Sequence, residues 1–194
     1  MDSVAAPAPV LGAPAYTQPW ALLNVRLDGR PTDYLEWIAA GHYDAARESA
    51  AAGRPRASWL RDVYFGFDKK NFLLRIDLPR DMNRHEILRD ASLTIVFDRP
   101  SSRRLELVSL ATRPYYTMTG PAGVAGYEVL GTLAADSILE LSCPLQALGL
   151  RPGETSAFHI EVCHGAERIE ALPLAGPIAI RIPGADTDRI RWEV

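Results

Sequence analysis

Hydrophobic and polar residues alternate most regularly between residues 63 and 77. The apolar members of this alternation are Val63, Phe65, Phe67, Phe72, Leu74 and Ile76. Because successive side chains of a strand point to opposite faces, these residues form one apolar row on one face of a sheet. The polar segment between the two runs begins with Asp68 and ends with Asn71, and both residue types hydrogen-bond their own backbone in turns. The stretch therefore predicts a β-hairpin whose apolar face needs a second sheet to cover it.

Shorter alternating runs, separated by turn residues, occupy most of the remaining chain. They lie at residues 22–28, 92–98, 104–110, 115–118, 127–133, 137–143, 157–164, 168–172 and 178–182. One short helix is predicted at residues 34–40, beginning after Thr32 or Asp33 and ending at Gly41. Many short strands with almost no helix are typical of an all-β protein. The pattern predicts a two-sheet antiparallel β-sandwich with a short helical insertion after the first strand.

Residues 1–20 differ from the rest of the chain because alanine and proline dominate them. Such a composition is typical of a linker or tail. Residues 21–194 are then expected to form one domain, which is long enough to bury a core without covalent cross-links. The two cysteines, Cys143 and Cys163, form neither a CxxC pair nor a disulfide framework, so we expect two buried, reduced thiols.

Charge and hydrophobicity disfavour several classes of partner. The net charge is −3 at pH 7, so no strongly basic character indicates nucleic-acid binding. No apolar run reaches the roughly 18 residues that a membrane-spanning helix needs. The N-terminus lacks the basic and apolar regions of a signal peptide. We therefore expect a cytoplasmic protein that binds neither nucleic acid nor membrane.

No combination of residues in the chain is typical of an active site. The sequence lacks a phosphate-binding loop, a zinc-protease helix and a Gly-x-Ser-x-Gly elbow. Its histidines do not have the spacing of metal ligands. Asp68 and Asn71 could contribute to a calcium site, but turn capping explains both residues without a metal. The sequence therefore predicts no catalytic residues, no metal and no cofactor, and an independent enzyme is not expected.

Aromatic residues in the segment before the hairpin suggest a different kind of chemistry. Trp37 and Tyr43 lie beside Asp33, Glu36 and His42 in the sequence. Sugars stack their C–H faces on aromatic rings and hydrogen-bond to neighbouring polar side chains, so these five residues form a candidate ligand-binding site. The alternative is that Trp37, with a tyrosine one helical turn before it, packs the short helix onto the sandwich.

Several short motifs, taken in order, resemble one known module. They are Leu27-Asp28-Gly29, Asp33-Tyr34-Leu35-Glu36-Trp37, Val63–Asp68, Asn71–Asp77, Leu139-Glu140-Leu141, Leu148–Gly153, Glu167–Pro173 and Trp192-Glu193-Val194. Together they resemble the C-terminal β-sandwich that follows the catalytic barrel in many family 57 glycoside hydrolases, the α-amylase and α-mannosidase-like group. The resemblance covers about residues 22–194. That sandwich is similar in turn to DOMON-type and family 9 carbohydrate-binding sandwiches, so the resemblance implies a jelly-roll-like fold.

The resemblance implies a sugar-related role but transfers no catalytic residue, because the family's catalytic carboxylates belong to the barrel. Two functions remain open. One is a non-catalytic carbohydrate-binding accessory module, with an α-glucan or oligosaccharide as ligand. The other is a structural or interaction domain that docks onto a family 57 catalytic domain without binding sugar itself. A haem site, formed by Met82 or Met118 with His159 as in some DOMON-type sandwiches, is not singled out by any spacing.

Overall fold

Two antiparallel β-sheets pack face to face in the computed structural model, which describes residues 15–31, 33, 35–53, 58–79, 91–99, 102–120, 125–126, 131–165 and 167–184. The predicted two-sheet antiparallel β-sandwich is confirmed. In spatial order the first sheet contains β1 (Gly41–Asp44), β2 (Asp62–Phe67), β3 (Asn71–Asp77), β9 (Leu139–Pro144) and β8 (Thr132–Ala135). The second sheet contains β11 (Glu167–Leu172), β10 (Thr155–His164), β4 (Ala91–Arg99), β5 (Arg103–Val108), β6 (Tyr115–Thr119) and β7 (Ala125–Gly126), and β12 (Ile178–Arg181) also pairs with β10. The described residues contain two short helices: α1 (Ala45–Ala51) lies between β1 and β2 of the first sheet, and α2 (Leu145–Leu148) lies between β9 of the first sheet and β10 of the second.

The predicted hairpin is formed by β2 and β3. Phe67 pairs with Phe72 at the closed end, and Val63 pairs with Ile76 near the open end. The Asp68 carboxylate accepts hydrogen bonds from the backbone N–H groups of Lys70 and Asn71, each at 2.7 Å. The turn is therefore closed by the side-chain capping that the sequence predicts.

Aromatic rings hold the two sheets together. All five phenylalanines of the chain are buried between the sheets. The ring centroid of Phe72 lies 5.2 Å from that of Phe97 and 5.3 Å from that of Phe158, in edge-to-face geometry. Phe65 contacts Phe158 in the same way at 5.5 Å. The hairpin thus supplies one half of the core, and β4 and β10 supply the other half.

The predicted first strand at residues 22–28 is wrong. This segment runs as extended coil across the outer face of the first sheet, where Leu23 is buried and Val25 and Leu27 pack beside it. The Leu23 N–H donates to the carbonyl of Phe67 at 2.7 Å. Gly66 leaves room for this contact, because a Cβ there would lie 2.7 Å from Leu23 Cδ1. An extended segment lying on a sheet buries alternate side chains just as a strand does, so the pattern alone does not distinguish the two.

The predicted helix at residues 34–40 is replaced by consecutive turns over residues 35–39. The Asp33 carboxylate accepts from the Leu35 N–H at 2.9 Å, and the Ile38 N–H donates to the Leu35 carbonyl at 3.3 Å, which is a three-residue rather than a helical repeat. The first strand of the described residues is β1, and the helical insertion that follows it is α1. Asp44 caps α1 by accepting from the backbone of the first turn.

Residues 16–18, which we call the edge strap, join the edges of both sheets. Tyr16 forms a β-bridge with Tyr43 of β1, and its hydroxyl accepts from the Ala179 N–H of β12 at 3.0 Å. The Gln18 amide donates to the Ala179 carbonyl at 2.7 Å. Contacts with the sandwich therefore begin before residue 21, the predicted boundary between linker and domain.

Two predicted segments fall outside the described residues, namely 127–130 of the run at 127–133 and the C-terminal residues 185–194. Within the part of the chain that the structure describes, neither helix has the length and apolar character needed to cross a bilayer.

Replacing Phe72 by alanine tests the aromatic core. We expect Phe72→Ala to lower the free energy of unfolding by about 3–5 kcal/mol, because the ring is fully buried and contacts both sheets. Urea denaturation measures the loss, and Gln146→Ala on the exposed side of α2 serves as control, with an expected change below about 0.5 kcal/mol. A loss as small as the control's would contradict the packing described.

Candidate functional site

Trp37 lies in a second, smaller apolar cluster on the outer face of the first sheet. Its side chain is 4% exposed and packs with Leu23, Ala39, Ala40 and Leu73. We call the segment from residue 20 to residue 40 the outer layer, because it covers this face. Trp37 belongs to this layer, and protein covers its ring faces.

Glu140 of β9 anchors the outer layer to the sheet. Its carboxylate is fully buried and accepts hydrogen bonds from Trp37 Nε1 at 3.2 Å, the Gly29 N–H at 2.8 Å and the Asp28 N–H at 3.0 Å. Gly29 has a positive φ of 75°, which lets the chain turn so that both backbone groups face the carboxylate. Burial raises the pKa of Glu140 above its ordinary value, although the three donated hydrogen bonds work in the opposite direction.

Tyr43 lies on the other side of the same sheet. Its side chain is fully buried in the main core, and its hydroxyl donates to the Glu48 carboxylate of α1. Glu48 also accepts from the backbone N–H groups of Leu174, at 2.8 Å, and Ala175, at 3.3 Å. Tyr43 and Glu48 therefore tie α1 to the loop between β11 and β12.

The five residues of the predicted sugar site do not surround one opening. The sheet separates the rings of Trp37 and Tyr43, and both are too deeply buried to offer a face to a sugar. Asp33 is exposed, Glu36 is half-buried, and His42 lies on the outer face of β1. The alternative interpretation of Trp37, as a packing residue, agrees with the geometry, although it packs an irregular turn rather than a helix.

An exposed apolar patch lies on the outer layer. It consists of Trp20, Leu35 and Ile38, which are 68%, 60% and 54% exposed. Trp20 is held against the turn that carries the other two, because its backbone N–H donates to the Ala39 carbonyl at 3.0 Å and its indole Nε1–H to the Ile38 carbonyl at 3.2 Å. The indole's only donor is thereby occupied, so what Trp20 presents to solvent is hydrocarbon surface.

Beside the outer layer, His42, Tyr64 and Arg75 form a polar row across β1, β2 and β3. They are direct cross-strand neighbours on the outer face. The His42 ring stacks on the Tyr64 ring with centroids 4.7 Å apart, and Arg75 Cζ lies 5.0 Å from the Tyr64 centroid. Arg75 also pairs across the strands with Glu140, so the row runs from a half-exposed histidine to the buried anchor.

Charged partners fix the polar row. Asp62 contacts His42 Nε2 at 2.8 Å and Arg61 Nε at 2.6 Å. Asp77 accepts two hydrogen bonds from Arg75, at 2.7 and 3.0 Å, and one from Arg61 at 2.8 Å. Burial alone would raise the pKa of Asp62, but the hydrogen bonds with His42 and Arg61 outweigh it and hold that pKa below its usual value.

Other candidate chemistry is not assembled in the described residues. No group of three or more histidine, cysteine, aspartate or glutamate side chains there could hold a metal ion. Met118 packs against the core, whereas His159 lies on the outer face of the second sheet beside Asp98 and Glu161, so these two cannot share a haem. Met82 is outside the described residues.

The two thiols differ in burial. Both cysteines are free, with Cys143 buried and Cys163 half-buried, so only part of the sequence expectation is met. Burial raises the pKa of Cys143 to about 11, which keeps this thiol protonated and weakly nucleophilic at neutral pH.

Sequence reasoning missed the apolar patch and most of the polar row. Trp20 falls in the predicted linker, and Leu35 and Ile38 fall in the predicted helix at residues 34–40, where nothing in the sequence singles them out. Tyr64 and Arg75 occupy the polar positions of the hairpin alternation, so the pattern does place them on the outer face. No sequence signal shows that the irregular turn would expose two aliphatic residues beside Trp20.

The chain matches no model of a known protein family, and a comparison with curated proteins found no match. The resemblance to the family 57 sandwich therefore rests on the sequence motifs alone.

The raised pKa of Glu140 predicts a specific pH dependence of stability. A carboxyl group whose pKa is higher in the folded than in the unfolded state favours folding increasingly as the pH falls from above the folded pKa towards the ordinary value of 4.5. Relative to Glu140→Gln, which has no charge to titrate, the wild-type free energy of unfolding should therefore rise as the pH is lowered from 7 to 5.

Urea denaturation of both proteins at the two pH values measures this difference. Glu140→Gln also removes one of the acceptors for Trp37 and the turn, so we expect it to be less stable by about 1–3 kcal/mol. A wild-type advantage that shrinks at the lower pH would mean that the pKa of Glu140 is depressed rather than raised.

Proposed function

We propose that this chain is a non-catalytic interaction domain that docks onto a partner protein through the apolar patch. One observation carries the proposal. Of the four large hydrophobic side chains that are exposed in the described residues, three form this patch, and Tyr115 alone lies elsewhere. Isolated exposed hydrophobic residues are ordinary on protein surfaces, whereas a tryptophan grouped with two aliphatic residues is typical of an interface centre.

The composition of the patch favours a protein over a sugar as its occupant. A sugar site needs hydrogen-bonding groups beside the aromatic ring, because every ring hydroxyl that is removed from water needs a partner. Leu35 and Ile38 offer none, and the indole N–H of Trp20 is already bonded to the Ile38 carbonyl. Apolar side chains of another protein can cover the same surface without leaving polar groups unpaired.

The sequence motifs suggest which partner to test first. They resemble the sandwich that follows the catalytic barrel in family 57 glycoside hydrolases, so the resemblance suggests a barrel of that family. We therefore propose such a barrel as the partner and place the docking surface on the outer layer.

A carbohydrate-binding role is the second candidate, and the polar row is what favours it. His42 is partly exposed, and Asp62, Arg61 and Arg75 provide charged hydrogen-bonding groups beside the Tyr64 ring. Both faces of that ring are already contacted by His42 and Arg75, so a sugar would be held by hydrogen bonds more than by stacking. An α-glucan remains the ligand that the resemblance suggests.

Trp20→Ala should weaken binding to a purified family 57 barrel that lacks its own sandwich. The expected loss is about 30-fold, the size found for tryptophan residues at interface centres. Isothermal titration calorimetry measures the affinity, and the stability of the variant should change little because the side chain is largely exposed.

Tyr115→Ala is the matched control for this experiment, since it also removes an exposed aromatic ring but lies on β6 of the other sheet. Docking through the apolar patch predicts unchanged affinity for this variant. Failure of the wild-type domain to bind any such barrel, or equal losses for both variants, would contradict the proposal.

For the second candidate, affinity electrophoresis in gels containing glycogen, starch or maltooligosaccharides is the direct test. Binding at the polar row predicts retention of the wild type that His42→Ala reduces and Trp20→Ala does not. Free migration of the wild type in every gel would remove the carbohydrate-binding candidate.

A further inference from the structure

We propose that the partner's docking surface is an aliphatic face bordered by lysine or arginine. This inference rests on the proposed docking function and adds the chemistry of the partner. It follows from the charged residues that border the apolar patch. On the turn that presents Leu35 and Ile38, these residues are all negative.

Asp33 and Glu36 are the charged residues of that turn. Asp33 is exposed, and its Oδ1 accepts from the Leu35 N–H at 2.9 Å, which fixes the carboxylate at the start of the turn. Glu36 follows Leu35 directly and is partly exposed. Among the residues that the structure describes, neither carboxylate has a lysine, arginine or histidine within ion-pair distance. Both negative charges therefore border the patch without a basic partner among the described residues.

The basic residues of the outer layer are engaged with other carboxylates. Arg30 Nε lies 2.5 Å from Asp136 Oδ2, which belongs to the loop before β9. Arg26 Nε lies 3.7 Å from Asp28 Oδ2. A protein that covers the patch brings its own border residues close to Asp33 and Glu36, so cations there gain attraction and carboxylates are repelled.

The same charges disfavour a second copy of this chain as the occupant. A two-fold dimer through the patch would place identical surfaces against each other. The carboxylates of Asp33 and Glu36 would then face a border that carries the same two negative charges, without a basic residue of the same turn to offset the repulsion. The patch therefore fits a different protein better than it fits itself.

Two synthetic amphipathic peptides test the inference. They share one leucine face and differ only in the residues that flank it, which are lysine in one peptide and glutamate in the other. At low salt the lysine peptide should bind the full-length chain about tenfold more tightly than the glutamate peptide. The carboxylates of Asp33 and Glu36 each attract a lysine of the peptide, and each attraction adds modestly to the affinity. The difference should shrink at about 0.5 M salt, where screening acts within a few ångströms.

The matched variant is Asp33→Asn combined with Glu36→Gln, in which asparagine keeps the oxygen that caps the Leu35 N–H. In this variant the two peptides should bind with nearly equal affinity. Calorimetry measures affinity, and the indole N–H signal of Trp20 in NMR spectra reports whether the peptide occupies the patch.

The outcomes separate the inference from the docking function. Equal binding of both peptides to the wild type, abolished by Trp20→Ala, would overturn the charge preference and leave docking through the patch intact. Binding that Trp20→Ala does not change would overturn both. Binding of neither peptide would overturn the preference for a basic border, while the barrel titration still decides the docking function.

Discussion

The buried carboxylate of Glu140 is the interaction on which the outer face of this sandwich depends. It accepts hydrogen bonds from the indole N–H of Trp37 and from the backbone N–H groups of Asp28 and Gly29, and so fixes an irregular segment on the first sheet. Since that segment contains no strand and no helix, few backbone hydrogen bonds hold it. The position of the apolar patch at its surface follows from this anchor together with the burial of Leu23 and Trp37.

The aromatic residues are divided between the interior and the surface, and this division indicates which surfaces are available for binding. The phenylalanines and Tyr43 fill the space between the sheets, and Trp37 packs the outer layer onto the first sheet. The described surface also presents Trp20 with its two aliphatic neighbours and a hydrogen-bonded polar row. The first surface has the chemistry of a protein interface, and the second has groups that could bind hydroxyls.

The sandwich could be predicted from the sequence because its strands bury alternate side chains, as the hairpin at residues 62–77 illustrates. The outer layer could not be predicted, because an extended segment that lies on a sheet also buries alternate side chains. Residues 22–27 alternate in the manner of a strand, yet they belong to no strand and instead cover the outer face of the first sheet. The role of Trp37 could not be predicted for a related reason, because a tryptophan is equally suited to stacking on a sugar and to filling a small core. Its burial and its hydrogen bond to Glu140 show that it packs against the sheet.

Site-specific photocross-linking tests the central claim most directly. A photoreactive phenylalanine derivative at position 35, in the apolar patch, is compared with the same derivative at position 113, which is exposed in the turn before β6. After irradiation of the cells that make the protein, docking through the patch predicts one discrete adduct from position 35, identified by mass spectrometry as a family 57 barrel, and none from position 113. The same adducts from both positions, or an adduct from position 113 alone, would contradict the account.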